Sequence, residues 1–243
     1  MDKQTLMGFV NRFYLGGQTQ SAPVVSTKDT LSCSFINSAK SCVGDIVLTK
    51  NGFGDYEMGL YEIQDLIKLL NVLDGELEVS ANEVGDVVSQ LVISQKSNNT
   101  KVNYGLARLD VVSKKPDLTN VPDFELELQI DKHFISSFIS GKGALSDVST
   151  FAVLSDGVEA KVVIGYSSST QSNKVTIRVE AKKMSSLDDA IFFDADTFKE
   201  VLTANKDCES ATLYVSSQGL AKVNFKVDNF DSSYVLVAKT TVD

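Results

Sequence analysis

His133 is the single histidine among the 243 residues of this chain. Any general base or imidazole metal ligand would have to be built around it. It stands in DKHFISSF, on the polar side of an expected helix, and no Ser-His-Asp order forms around it. Its plain reading is a solvated surface side chain. Cys33, Cys42 and Cys208 make an odd set without CxxC spacing, so they imply neither a disulfide framework nor a zinc site. They read as small residues in a reducing compartment. GKGALS, from Gly141, has the residue types of a phosphate loop but not the Gly-x4-Gly-Lys spacing, and it follows a helix where a strand is needed. No dinucleotide fingerprint, HExxH pair or DxDxDG run occurs. The expectation is a protein without cofactor, metal or catalytic site.

The charge balance narrows the partners. There are 32 acidic against 23 basic residues, net −9. Only Arg12, Arg108 and Arg178 are arginine, so bidentate phosphate or base recognition is not the theme. Tight non-specific DNA binding would demand phosphate neutralisation over a broad surface. A chain this acidic can meet DNA only if its few cations gather on one face. Hydrophobic content of 43% supports a folded protein. The N-terminal MDKQTLMGFVNRFYLGG does not read as a secretory leader, and no window approaches a membrane span of about 18 apolar residues. A soluble cytoplasmic protein is expected.

The elements are written in a repeat. YEIQDLIKLLNVL, GELEVSA, DVVSQLVISQ and KVNYGLARLDVV follow one another from Tyr61. FDADTFKEVLTAN, SATLYVSS, LAKVNFKVD and SSYVLVAK follow from Phe193. Each set is an amphipathic helix and three strands. Leu66, Leu69 and Leu70 align with Phe198, Val201 and Leu202, and Tyr104 falls near Tyr234. A first helix is expected over residues 2–14, with Leu6, Phe9, Val10 and Phe13 inward and Gly16-Gly17 ending it. Strands APVVST, TLSCSFIN and VGDIVLTK precede a turn at NGFGD and a helix from Glu62 to Leu73. SKKPDLTNVPDF holds two of the three prolines, Pro116 and Pro122, and reads as an extended linker. Beyond it, Asp131 caps a helix that GKG ends, strands follow, and Asp194 caps a fourth helix before three closing strands. The fold class is α+β: two similar domains, 1–112 and 125–243, joined by the connector 113–124. Each carries antiparallel sheets with two helices on one face. Such duplication suits a symmetric scaffold.

Two stretches carry a resemblance. LAKVNFKVDNFDSSYVLVAK, Leu220 to Lys239, looks like the closing strands of the proliferating-cell-nuclear-antigen family. LYEIQDLIKLLNVLDGELEVS, Leu60 to Ser80, looks like the second helix and next strand of T-even-type phage clamps. The chain thus resembles the DNA sliding clamps, and residues 1–50 match least. The resemblance implies the DNA clamp fold and a homotrimeric ring of three head-to-tail chains, with twelve helices lining the hole and the sheets outside. It implies no enzymatic activity. The partners it implies are double-stranded DNA held without sequence preference, a replicative DNA polymerase made processive by the tether, and an ATP-dependent clamp loader. A phage-encoded clamp would work in the cytoplasm of an infected host cell.

On that plan the DNA-facing candidates are Lys3 and Arg12 on the first helix, Lys68 on the second, Lys132, His133 and Lys142 at the third, and Lys199 and Lys206 at the fourth. Polar neighbours without base-reading geometry suit a sliding surface. Glu62, Asp65, Asp196 and Glu200 share these helices, so ordinary solvated faces are the alternative. The ring contact would join the strand 102–112 to the strand 174–181 of a neighbour, placing Arg108, Asp110, Arg178 and Glu180 at the interface. Pairing of such charges within one sheet is the other option. A partner-peptide pocket would draw on Leu118, Val121 and Phe124 of the connector and Tyr234, Val235 and Val237 of the last strand. Side chains alternate along a strand, so Tyr234 and Val235 cannot both line it. The family's closing strands favour Val235 and Val237, with Tyr234 in the core. The other function class is a β-rich structural or assembly protein of a virion.

Overall fold

The computed structural model describes residues 1–85, 87–167 and 171–239. The chain forms two compact units. One comprises Met1–Pro116 with the turn Asp228–Ser232, the other Asp117–Val227 with Ser233–Asp243.

In the first unit, α1 (Lys3–Tyr14) starts at Asp2, whose carboxylate accepts the Thr5 N–H at 2.9 Å. Leu6, Phe9, Val10 and Phe13 recur at helical spacing, and all four are buried. Leu15 closes the helix in the left-handed region and a 3-10 turn takes the chain through Gly17. Strands β1 (Ser21–Ser26), β2 (Thr30–Ile36) and β3 (Cys42–Thr49) follow, then β4 (Tyr56–Tyr61), α2 (Ile63–Leu70), β5 (Leu77–Val84), β6 (Val87–Gln95) and β7 (Lys101–Gly105). Strand β4 was not expected. Its Glu57 and Gly59 weaken the strand signal. Yet Gly59 lets the backbone approach Ala107, whose carbonyl oxygen would lie 2.5 Å from an added Cβ. All pairings are antiparallel: β3-β2-β1-β4 in one sheet and β5-β6-β7 in the other.

The second unit runs β8 (Leu126–Asp131), α3 (Lys132–Ala144), β9 (Thr150–Ser155), β10 (Ala160–Ile164), β11 (Val175–Val179), β12 (Ala181–Lys183), β13 (Ile191–Asp194), α4 (Ala195–Ala204), β14 (Ser210–Ser216), β15 (Leu220–Val227) and β16 (Phe230–Val237). Its sheets are β12-β8-β14-β15-β16 and β11-β10-β9-β13. Asp131 and Asp194 cap α3 and α4, each accepting a backbone N–H at 2.7 Å. Helix α3 does not stop at GKG but runs through it. Gly141 is there for close packing, since a Cβ would meet Val175 at 3.0 Å and Ile164 at 3.3 Å. Five phenylalanines fill the space between helices and sheet. Phe138 meets Phe151 and Phe198 edge-on at 5.2 and 5.0 Å, and Phe151 stacks on Phe198 at 4.9 Å. Phe134 and Phe193 extend the cluster.

The repeat is a β-α-β-β-β motif that occurs twice in the second unit, and its two copies exchange first strands. Strand β8 pairs with β14 of the later copy, and β13 pairs with β9 of the earlier one. The first unit repeats the scheme: β4 pairs with β1, and the missing first strand shrinks to a bridge between Asp2 and Glu76. Helices α1 and α2 pack together in one unit, α3 and α4 in the other. The aligned tyrosines act alike. Tyr104 hydroxyl accepts the Tyr61 N–H at 3.1 Å and donates to the Tyr61 carbonyl, while Tyr234 hydroxyl meets Asn205 Nδ2 at 3.0 Å. Tyr104 ties the last strand to the end of β4, just before α2, and Tyr234 ties it to the C-cap of α4.

Asp194 has two duties. It caps α4 and pairs with Lys239 at 2.6 Å. Burial opposes its ionised form, but the hydrogen bonds from Lys239 and Thr197 prevail and lower its pKa below 3.8. A depressed carboxylate stabilises the fold above its unfolded pKa, and the effect is lost as pH falls through the folded value. Asp194→Ala is expected to cost about 1–2 kcal/mol at pH 7. Urea midpoints of variant and parent should converge as pH drops through and below 3.8; a gap that stays constant with pH would remove the ionised carboxylate as its cause.

Candidate nucleic-acid interface and partner surfaces

The eight candidates, seven on helices and Lys206 just past α4, fall into two groups. Two are buried. Arg12 lies under the Phe230 ring, 3.8 Å from its centroid, and its Nη1 donates to the Gly8 carbonyl at 2.9 Å. Lys142 is 3% exposed and donates to the Ser146 carbonyl at 2.8 Å while pairing with Asp196 of α4, also at 2.8 Å. These two cations hold their own units together and are not presented to solvent. Their long stems sit among apolar neighbours, a placement that the charge pattern alone does not reveal.

The others reach solvent, and most meet a carboxylate. Lys68 pairs with Asp65 at 2.7 Å, Lys132 with Glu209 at 2.6 Å, Lys199 with Glu200 at 3.5 Å and Lys3 with Asp74 at 3.4 Å. The hydrogen bond that Lys68 donates to Asp65 raises its pKa, and the one that Lys132 donates to Glu209 does the same. His133 and Lys206 are exposed. Ion pairs this open to water contribute little to stability. Their main consequence is electrostatic: a lysine held by a carboxylate presents little net charge to a phosphate. The Asp65–Lys68 pair was legible from its i,i+3 spacing. Glu209, which lies beyond α4, was not.

The residues expected at a subunit interface are placed differently from the strands assigned to them, Arg178 excepted. The last strand of the first unit ends at Gly105, so Arg108 and Asp110 occupy the turn that follows it. The chain leaves the sheet because Ala107 bridges back to Gly59. Arg108 grips Asp110 through two hydrogen bonds of 3.1 and 3.0 Å. Both border an open cleft of about 700 Å³ that includes Tyr56, Glu83 and Val87. Arg178 lies on β11 and pairs with Glu159 at 2.8 Å, and Glu180 follows that strand, its carbonyl accepting from Gln129. Strand β7 ends one sheet and β11 ends another, so each offers an edge that pairs with no strand among the described residues.

The six peptide-pocket candidates differ in burial. Tyr234 is fully buried and Val235 nearly so, whereas Leu118, Val121 and Val237 are exposed. The ring of Phe124 packs 5.9 Å from that of Tyr214. The larger cleft of this unit, about 910 Å³, is lined by other residues, among them Tyr166, Phe192, Gly219 and Lys239. Sequence reasoning also missed the connector's anchors. Near its start, Lys115 pairs with Asp45. At its end, Glu125 accepts the Ser217 N–H at 3.0 Å and its hydroxyl at 2.8 Å. Among the described residues no group of His, Cys, Asp and Glu could hold a metal ion, and no helix is long and apolar enough to cross a membrane.

No protein-family model matches this chain, and no curated protein is similar to it in sequence. Solved structures are. The proliferating cellular nuclear antigen of Entamoeba histolytica matches with a TM-score of 0.74 over 99% of this chain and 97% of that one, at 11% identity. The A. fulgidus PCNA, in a structure with the C-terminal region of FEN-1 bound to it, matches with a TM-score of 0.74 over 100% and 98%, at 12% identity. The fold of this chain is the PCNA clamp fold, from one end to the other.

Proposed function

We propose that this chain is the subunit of a homotrimeric DNA sliding clamp of the phage type. It encircles duplex DNA and tethers a replicative polymerase after loading by an ATP-dependent loader. It performs no chemistry itself and acts in the cytoplasm. The observation that carries this reading is the full-length correspondence to clamp chains at a TM-score of 0.74, with both units and the connector included. Two further features support it. Strands β7 and β11 leave complementary bare edges on different units, and head-to-tail union of three chains would pair all of them. The acidic total of −9 repels DNA from most of the surface and leaves the helix lysines as the attractive track. On this reading the exposed Leu118, Val121 and Val237, with Phe124, receive the partner peptide.

Light scattering across a dilution series tests the assembly. The expected result is the mass of three chains of 26.4 kDa, reduced to one by Arg108→Glu with Arg178→Glu. A wild-type monomer at every concentration would overturn the ring. Loader-dependent synthesis on primed circular DNA then tests the tether.

A further inference from the structure

We propose that Asp65, Glu200 and Glu209 compete with the DNA phosphates for the helix lysines and so set how weakly the helix surface holds duplex DNA. This rests on the clamp reading and deepens it, since it concerns regulation of the same surface.

Three helix lysines, the exposed Lys68 and Lys132 and the half-buried Lys199, each have a carboxylate oxygen within 3.5 Å. In two units built from the same motif, the arrangement recurs on α2, at the start of α3 and on α4. It does not serve one architectural contact. Asp65 lies one turn from its lysine, Glu200 is adjacent in sequence and Glu209 comes from the loop before β14. What they share is the result: an ammonium with an anion already in place. A phosphate approaching Lys68 must displace Asp65 or share the lysine with it, and it meets that carboxylate's repulsion well inside the screening length of about 8 Å at physiological salt. A surface of bare lysines would release one counterion per phosphate bound and grip accordingly. Pre-paired lysines release fewer, so the track attracts DNA without arresting it. The lysines are the contacts; the carboxylates are positioning and attenuating groups that act through them.

The test is binding to a fluorescein-labelled duplex of thirty base pairs, read by anisotropy over a salt series. Asp65→Asn, Glu200→Gln and Glu209→Gln are combined in the full chain. A control of equal charge change replaces Asp29, Asp188 and Asp189, which lie in bends between strands, with asparagine. The helix variant is expected to bind about tenfold tighter at low salt, with a log–log salt slope steeper by about 2 to 3. The control should change neither value by as much. Wild-type mass in both variants confirms intact assembly. Equal tightening by the control would reduce the effect to net charge and overturn the proposal. So would an unchanged helix variant beside a wild type that binds. Either failure leaves the clamp reading standing, because solution mass and loader-dependent synthesis judge that separately. A duplex bound by neither protein overturns the proposal too.

Discussion

Phe138→Ala is expected to destabilise the second unit by about 3–5 kcal/mol. The ring is fully buried on α3 and meets Phe151 of β9 and Phe198 of α4 edge-on. It is therefore the point where two helices and a strand share one contact. Truncation removes the transfer energy of a large side chain and leaves a void that its rigid aromatic neighbours cannot fill. Each edge-to-face pair lost adds about 0.5–1.5 kcal/mol beyond buried area. Phe138→Leu keeps most of the volume and should cost clearly less. Urea unfolding decides it: the midpoint of the alanine variant should fall steeply at an unchanged slope. A loss under about 1 kcal/mol would mean that the cluster repacks around the gap and is not the anchor described.

Gly52→Ala should cost about 2–3 kcal/mol, although it adds a single methyl group. The new Cβ would lie 2.0 Å from the Thr27 carbonyl oxygen and within 2.8 Å of the Asp29 and Thr30 nitrogens. These atoms belong to a turn locked by its own bonds. Thr27 Oγ1 accepts from Asp29 and Thr30, and the Thr27 carbonyl accepts from Gly54 at 3.2 Å. Neither segment can yield without breaking those bonds. Gly85 is the informative contrast. Nothing lies within 4 Å of its would-be Cβ, but its φ is +64°. Gly85→Ala meets only the left-handed backbone penalty of about 1–2 kcal/mol. Denaturation of the two variants side by side separates close approach from backbone conformation. If Gly85→Ala proves the costlier, contact is not what selects glycine at position 52.

Much of this architecture could be read from residue order because amphipathic periodicity survives without any knowledge of partners. The four apolar inward positions of α1 were assigned from spacing, and the caps Asp131 and Asp194 from their place before apolar runs. The repeat located Tyr104 and Tyr234 in corresponding last strands. What failed shares a cause. Arg12 and Lys142 are charged residues whose role is fixed by Phe230 and Asp196, both distant in sequence. Strand β4 is recognisable only beside β1, and β7 stops early because Ala107 turns back to Gly59. Gly141 looked like a helix stop and is a packing position against β11. A pattern along one chain records which face is apolar; it does not record what lies opposite.

The exchange of first strands fixes the order in which this protein can come into being. Strand β8 leaves the ribosome long before β14, its partner across residues Asp131 and Ser210. Elongation at about 5–20 residues per second keeps it waiting for seconds, which is long against hairpin formation in about 1–10 μs. The β9-β10 and β10-β11 hairpins can close at once, while β8 remains an unsatisfied edge until the second copy of the motif arrives. Each unit therefore commits late, and its vulnerable interval during synthesis is set by chain topology and not by the final stability of the fold.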